Sequence, residues 1–207
     1  MLHTSEIRWF IVGNLSKETL SWFSAGRLTR ATIQVHEYLL LPGCDTVGVK
    51  FREGRFEIKA NLGVSQPPSL PAGVEGRIER WIKWSFPTKR LPMFGQALHE
   101  SGPWLKVRKE RNQRTYSAES GALQEISEDS LPVTGCNIEL THVEVEADPS
   151  SWVTFGFEAY GPRSVTAGIL EEGISSFFKG QGRAPGMKLT ETNSFGYPTW
   201  LMSLGMK

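Results

Sequence analysis

Two short stretches carry charged side chains at a spacing that could do chemistry. Val47–Lys59 reads Val-Gly-Val-Lys-Phe-Arg-Glu-Gly-Arg-Phe-Glu-Ile-Lys. It alternates on both sides of Glu53-Gly54, the pattern of two strands joined by a two-residue turn, with Gly54 supplying a positive φ. That turn sets Arg52 against Arg55, Phe51 against Phe56, Lys50 against Glu57 and Val49 against Ile58. One face is then Val49, Phe51, Phe56 and Ile58. The other is Lys50, Arg52, Arg55, Glu57 and Lys59, four cations around one carboxylate. Arg52 opposite Arg55 is a like-charge pair that needs an offset from water, a carboxylate or an anionic ligand. The second stretch, Trp104–Tyr116, holds five cations and one acid, and Leu105 and Val107 alternate with Lys106 and Arg108. Basic groups around a lumen bind phosphate or carboxylate bidentately. Acidic groups at one wall, of which Glu139 and Glu158 are examples, could hold a divalent cation.

These side chains need strands to place them. Glu6–Val12 reads as a first strand, and Ser16 as the cap of a short helix over 17–25. Leu28–Leu40 is β-branched and strand-like. Residues 63–76, with three prolines and three glycines, form a loop. Arg77–Phe86 is a strand, 94–103 irregular, and 117–130 a polar loop or weak helix. In Asn137–Ala147 the apolar parity switches from Ile138 and Leu140 to Val143 and Val145, which a bulge near Thr141-His142 would reconcile. Trp152–Tyr160 turns Val153, Phe155 and Phe157 one way and Thr154, Gly156 and Glu158 the other. Val165–Phe178 has helical spacing, and the aromatic tail 193–201 is expected to dock on the body. The chain is therefore read as a single domain, 1–207, mainly β (α+β). Its expected form is an antiparallel, closed or strongly curved barrel of about eight strands, with one late helix and peripheral short helices.

The totals narrow the function. The 207 residues carry a net charge of +1, with 21 glycines and 7 tryptophans. No global field draws nucleic acid, so anion binding must come from a local cluster. The basic tryptophan strand at Trp81 and Trp84 could stack single-stranded nucleic acid, but core or rim packing is the better reading. No stretch approaches the ~18 apolar residues of a membrane helix. Two cysteines, Cys44 and Cys136, fit free thiols in a reduced, cytoplasmic compartment. The four histidines, His3, His36, His99 and His142, show no metal spacing.

The order of elements resembles the CYTH superfamily, the triphosphate tunnel enzymes and their relatives. The resemblance lies in the hairpin Gly48-Val-Lys-Phe-Arg52 with Phe56-Glu-Ile-Lys59, the basic strand Lys106–Arg111, the late strand Thr154–Glu158 and the tail Ser194–Leu201. It implies a barrel that binds an anionic small molecule, phosphorylated or otherwise, in a basic tunnel. Lys50, Arg52, Lys59, Arg108 and Arg111 would contact the anion. Glu158, with Glu6 and Glu139 or Glu144, would hold Mg²⁺ or Mn²⁺. An enzyme of this kind would be a metal-dependent phosphohydrolase acting on triphosphate-containing substrates. The chain departs from the family at two places. Its first strand has Glu6-Ile-Arg8-Trp-Phe10 where the family has Glu-x-Glu-x-Lys, and its late strand pairs Gly156 with Glu158 where the family often has two carboxylates. Anion binding is thus better supported than catalysis. The competing reading is a non-catalytic, lipocalin-like barrel for an apolar organic ligand or a protein partner. It requires Val49, Phe51, Phe56 and Ile58 to line the cavity and the charges to face water.

Overall fold

A computed structural model describes residues 1–25, 30–67, 69–90, 100, 102–127, 130, 132–146 and 148–204. Its centre is a closed antiparallel barrel. The strands are β1 (Leu2–Val12), β2 (Thr32–Leu39), β3 (Val47–Arg52), β4 (Arg55–Ser65), β5 (Ile78–Pro87), β6 (Trp104–Ser117), β7 (Gln124–Ile126), β8 (Gly135–Val145) and β9 (Asp148–Gly161). They run in the order β2-β3-β4-β5-β1-β9-β8-β6, and a β2–β6 pairing closes the ring, while the three-residue β7 hangs on β6. Closure removes the edges that would otherwise template association. Three helices complete the described fold: α1 (Lys17–Ser24), α2 (Thr166–Gln181) and α3 (Tyr197–Ser203). Among the described residues, no helix is long and apolar enough to cross a membrane. Residues 91–99, and with them His99, lie outside the described residues.

The central hairpin has the register its alternation predicts, Arg52 against Arg55 and Lys50 against Glu57. Glu53 and Gly54 both have positive φ, at 47° and 69°, as a primed turn requires. Glu53 is held in that unfavourable conformation by Gln34, whose Nε2 donates to its carboxylate at 2.9 Å. The two facing arginines separate. Arg52 turns inward, its Nε 3.2 Å from Glu57, while Arg55 stays exposed and donates from Nε to the Ser85 hydroxyl at 2.7 Å. A nearby carboxylate therefore supplies the offset for the inward member.

Apolar side chains collect in two places, one outside the barrel and one inside. Outside, Ile7, Trp9, Ile138, Leu140, Phe155 and Phe157 pack under Leu170, Ile174, Phe177 and Phe178 of α2 and under Phe23 of α1. Ser16 caps α1 as its sequence predicts, accepting from the Thr19 amide at 3.0 Å. Inside, Phe10, Leu105, Val107, Val143 and Val145 close around Trp200 and Leu201 of α3. The aromatic tail thus enters one end of the barrel as a plug. It is anchored by Phe195 N–H to the Arg8 carbonyl at 3.0 Å and by Gly196 N–H to Glu79 at 3.0 Å.

This arrangement corrects the bulge expected at Thr141-His142. The β8 register against β6 and β9 runs unbroken there, and the irregularity falls at Glu144/Val145. The parity switches because the outer core needs Ile138 and Leu140 on one face, while the inner plug needs Val143 and Val145 on the other.

Candidate functional site

Beyond the plug, the barrel interior changes from apolar to charged along its axis. On β6 the inward positions run Leu105, Val107, Lys109, Arg111, Gln113, because side chains two apart share a face. The first two meet the plug. The other three line a cavity of about 230 Å³, together with Glu6 and Arg8 of β1, Gln34, His36 and Tyr38 of β2, Lys50 and Arg52 of β3, Lys59 of β4, Lys83 of β5, Glu139 of β8 and Glu158 of β9. A smaller annex of about 60 Å³, lined by Glu57, Trp81, Tyr197 and Pro198 among others, adjoins it through Glu6, Arg8, Tyr38, Lys50 and Lys59. The result is a pocket with a floor at α3. Tyr38 and Tyr197 lie parallel on that floor, centroids 5.3 Å apart.

The charges pair in a defined way. Arg8 bridges to Glu139 at 2.9 Å, and Arg111 reaches the same carboxylate at 3.3 Å. Lys59 bonds both Glu6 and Glu158, the latter at 3.3 Å. Lys50 and Arg52 share Glu57 at 3.3 and 3.2 Å. Lys109 is different. Among the described residues its ammonium has no carboxylate partner. It donates to the Tyr38 hydroxyl at 2.8 Å and stands 3.5 Å over the Tyr197 ring.

These surroundings set the protonation states. Burial works against the Glu57 carboxylate, but Lys50, Lys83 and Arg52 outweigh it and hold the group at about 2. Burial likewise opposes the charge of Glu139, and Arg8 and Arg111 bring it to about 2. Lys50 also moves down, to about 8, because burial and Arg52 together outweigh its single carboxylate partner Glu57, so the shift that favours the charge of Glu57 disfavours that of Lys50. Lys109 is driven well below the ordinary lysine range by burial and by Lys50 and Arg8. His36, buried among Lys109, Lys50, Arg52 and Arg111, is pushed far below the ordinary histidine range and stays neutral.

Of the anion-binding residues expected from sequence, Lys50, Arg52, Lys59 and Arg111 converge on this pocket. Arg108 does not. It lies on the outside of the barrel and pairs at 2.9 Å with Glu144, both side chains more than 40% exposed. The reason is parity: Arg108 and Arg111 are three residues apart on a regular strand, so they point to opposite faces. Glu6, Glu139 and Glu158 of the expected metal set are in the lumen, and Glu144 is not. The sequence reading missed Lys109, because its parity is that of Leu105 and Val107 and so looked like core. It also missed Lys83, Tyr38 and His36 as lining residues. Arg111, known to be basic and on the Lys109 parity, was the available signal. Trp81 is buried, with its indole N–H on Glu79 at 3.0 Å, and offers no surface face for stacking a base.

The two departures from the resembled pattern form one unit. Arg8 lies opposite Gly156 in the β1–β9 register. A Cβ on Gly156 would come within 3.2 Å of Arg8 Cβ and Cγ and 3.0 Å of the Ile7 carbonyl. A side chain there would crowd the arginine that now occupies the space, which would have to give way to admit it. The carboxylates in the lumen do not fit Mg²⁺ or Mn²⁺ as arranged. Each is engaged by Lys59, or by Arg8 and Arg111, or by Lys50 and Arg52, and no cluster of three metal-ligating side chains occurs among the described residues. Hard divalent ions take several free oxygens at once.

No family model and no curated protein matches the chain. Among solved structures, it is similar to a conserved hypothetical protein from Pyrococcus furiosus, with TM-score 0.40 and 12% identity over 95% of this chain and 98% of that one. It is also similar to a Hippeastrum protein named as an adenylyl cyclase and described as having a dominant triphosphatase activity, with TM-score 0.43 and 10% identity over 100% and 97%. The PH1012 protein from Pyrococcus horikoshii gives 0.39 and 12%, over 91% and 93%. TM-scores below 0.5 carry no argument about the site, which rests on its own geometry.

Proposed function

We propose that the barrel binds a small phosphorylated anion in the basic pocket, held by side-chain cations and not by a divalent metal ion. The observation that carries this reading is the charge balance of the lining. Seven cations (Arg8, Lys50, Arg52, Lys59, Lys83, Lys109, Arg111) face four carboxylates (Glu6, Glu57, Glu139, Glu158), 7 − 4 = +3 with every lysine protonated. An anion entering the pocket would offset that excess in a partly desolvated space, where charge pairs are stronger than in water. Burial first, and the neighbouring cations second, lower the affinity of Lys50 and Lys109 for their protons. The lipocalin-like alternative loses its requirement, since the hairpin's charged face, not its apolar one, lines the cavity.

The test is ligand-induced thermal stabilisation with pyrophosphate and sulfate. A ligand at 100 times its Kd adds about 2.7 kcal/mol, which for a chain of this size raises Tm by roughly 5–11 °C. Lys109→Met removes a cation and leaves no carboxylate stranded, so the fold should persist and the shift should shrink by at least half. No shift in the wild type with either anion would refute the proposal. A chelator should leave the shift unchanged. Phosphate release from tripolyphosphate on adding Mg²⁺ or Mn²⁺ would show that the carboxylates exchange their cations for metal, and would overturn the metal-free form of the reading.

A further inference from the structure

The pocket wall also carries buried polar atoms that no described residue satisfies: Gln34 Oε1, both ring nitrogens of His36, Asn137 Oδ1 and Arg111 Nε. Gln34 and His36 are 9% and 3% exposed. The orientation of the Gln34 amide is fixed, because its Nε2 donates to Glu53. Its carbonyl oxygen is therefore the atom left without a partner on a side chain that lines the pocket. A neutral imidazole has one donor and one acceptor nitrogen, and burial together with the four cations around His36 keeps it neutral. In the middle of a cationic wall the pocket thus presents at least two acceptors, Gln34 Oε1 and one nitrogen of His36. A fully ionised oxyanion has only lone pairs to set against them. Buried acceptors left unmet disfavour the complex.

Resting on the anion-binding reading, we infer that the pocket takes an anion with hydrogen-bond donors of its own, a small hydroxylated organic phosphate in preference to a bare inorganic one. The cations hold the phosphoryl oxygens, and the ligand hydroxyls donate to Gln34 and His36. The cavity of about 230 Å³ has room for a phosphoryl group on a short polyol.

The experiment compares glycerol 3-phosphate with propyl phosphate, equal in charge and close in size, by titration calorimetry on the full chain. At least tenfold tighter binding of glycerol 3-phosphate is expected in the wild type. In Gln34→Met and His36→Phe the preference should fall below threefold, with the Kd of propyl phosphate within twofold of wild type. The wild-type comparison needs neither variant to fold. Equal binding of the two esters overturns the inference, since bridging waters would then be satisfying Gln34 and His36. Binding of pyrophosphate but of neither ester overturns it too, and leaves the anion-binding reading standing. Binding of no anion removes both.

Discussion

Glu57→Gln separates the stability of this barrel from its affinity for anions. Glu57 is 2% exposed and holds two cations, with the Ser85 hydroxyl donating to it at 3.2 Å. The amide keeps the shape and can still accept from Ser85, so the change is essentially one of charge. Stranding a buried charge by removing its partner typically costs about 3–5 kcal/mol. Because the amide retains acceptor contacts, we take the lower end, ~3 kcal/mol, or a fall in Tm of roughly 6–12 °C. Anion affinity should move the other way. At an effective dielectric of ~20, a unit negative charge removed from ~6 Å is worth about 3 kcal/mol to a bound monoanion, and half of that is tenfold in Kd. Scanning calorimetry with and without sulfate reads both effects: a lower Tm in buffer and a larger sulfate shift than in wild type. A Tm within about 2 °C of wild type would refute the structural role given to Glu57. A sulfate shift no larger than the wild-type one would refute the claim that this carboxylate limits the pocket's charge excess.

The pH dependence follows from the same groups. Glu57 and Glu139 both fall from 4.5 to about 2 in the folded chain, so their stabilisation is complete above about pH 4.5 and is lost as pH falls through 2. At 1.36 kcal/mol per unit this is on the order of 3 kcal/mol for each, and acid unfolding followed by circular dichroism should be displaced upward in pH in Glu57→Gln. At the alkaline side, Lys50 sits at about 8 among Arg52, Lys59, Lys83 and Glu57. Sulfate, whose charge is constant in this range, should therefore bind more weakly as pH rises from 7 to 9, and a flat profile by calorimetric titration would exclude Lys50 from the contact. Trp200 is fully buried in the plug and stacks on Phe10 at 4.8 Å. Trp200→Ala should cost about 3–5 kcal/mol, measured by urea unfolding.

The fold was legible in the sequence where a strand serves one environment. The hairpin at Val47–Lys59 has one apolar face and one charged face throughout, and its register, turn and inward side could all be read from alternation. Trp152–Tyr160 is equally consistent. The reading failed where one strand serves two. β8 packs its first half outward under α2 and its second half inward against α3, so a regular strand imitates a bulge. β6 does the same from the inside: one inward row holds Leu105 and Val107 at the plug, then Lys109 and Arg111 at the pocket. Local alternation assigns that row to the core and places Arg108 in the lumen, and nothing within the strand contradicts it. The missing information lies some ninety residues away, in the aromatic helix that fills one end of the barrel and fixes where apolar lining must give way to charged lining. Once Trp200 and Leu201 occupy that end, Lys109 is the first inward position beyond it. An ammonium there donates to Tyr38, stands over Tyr197 and has no carboxylate in salt-bridge contact among the described residues, so the charge excess that defines the site is a consequence of where the plug stops.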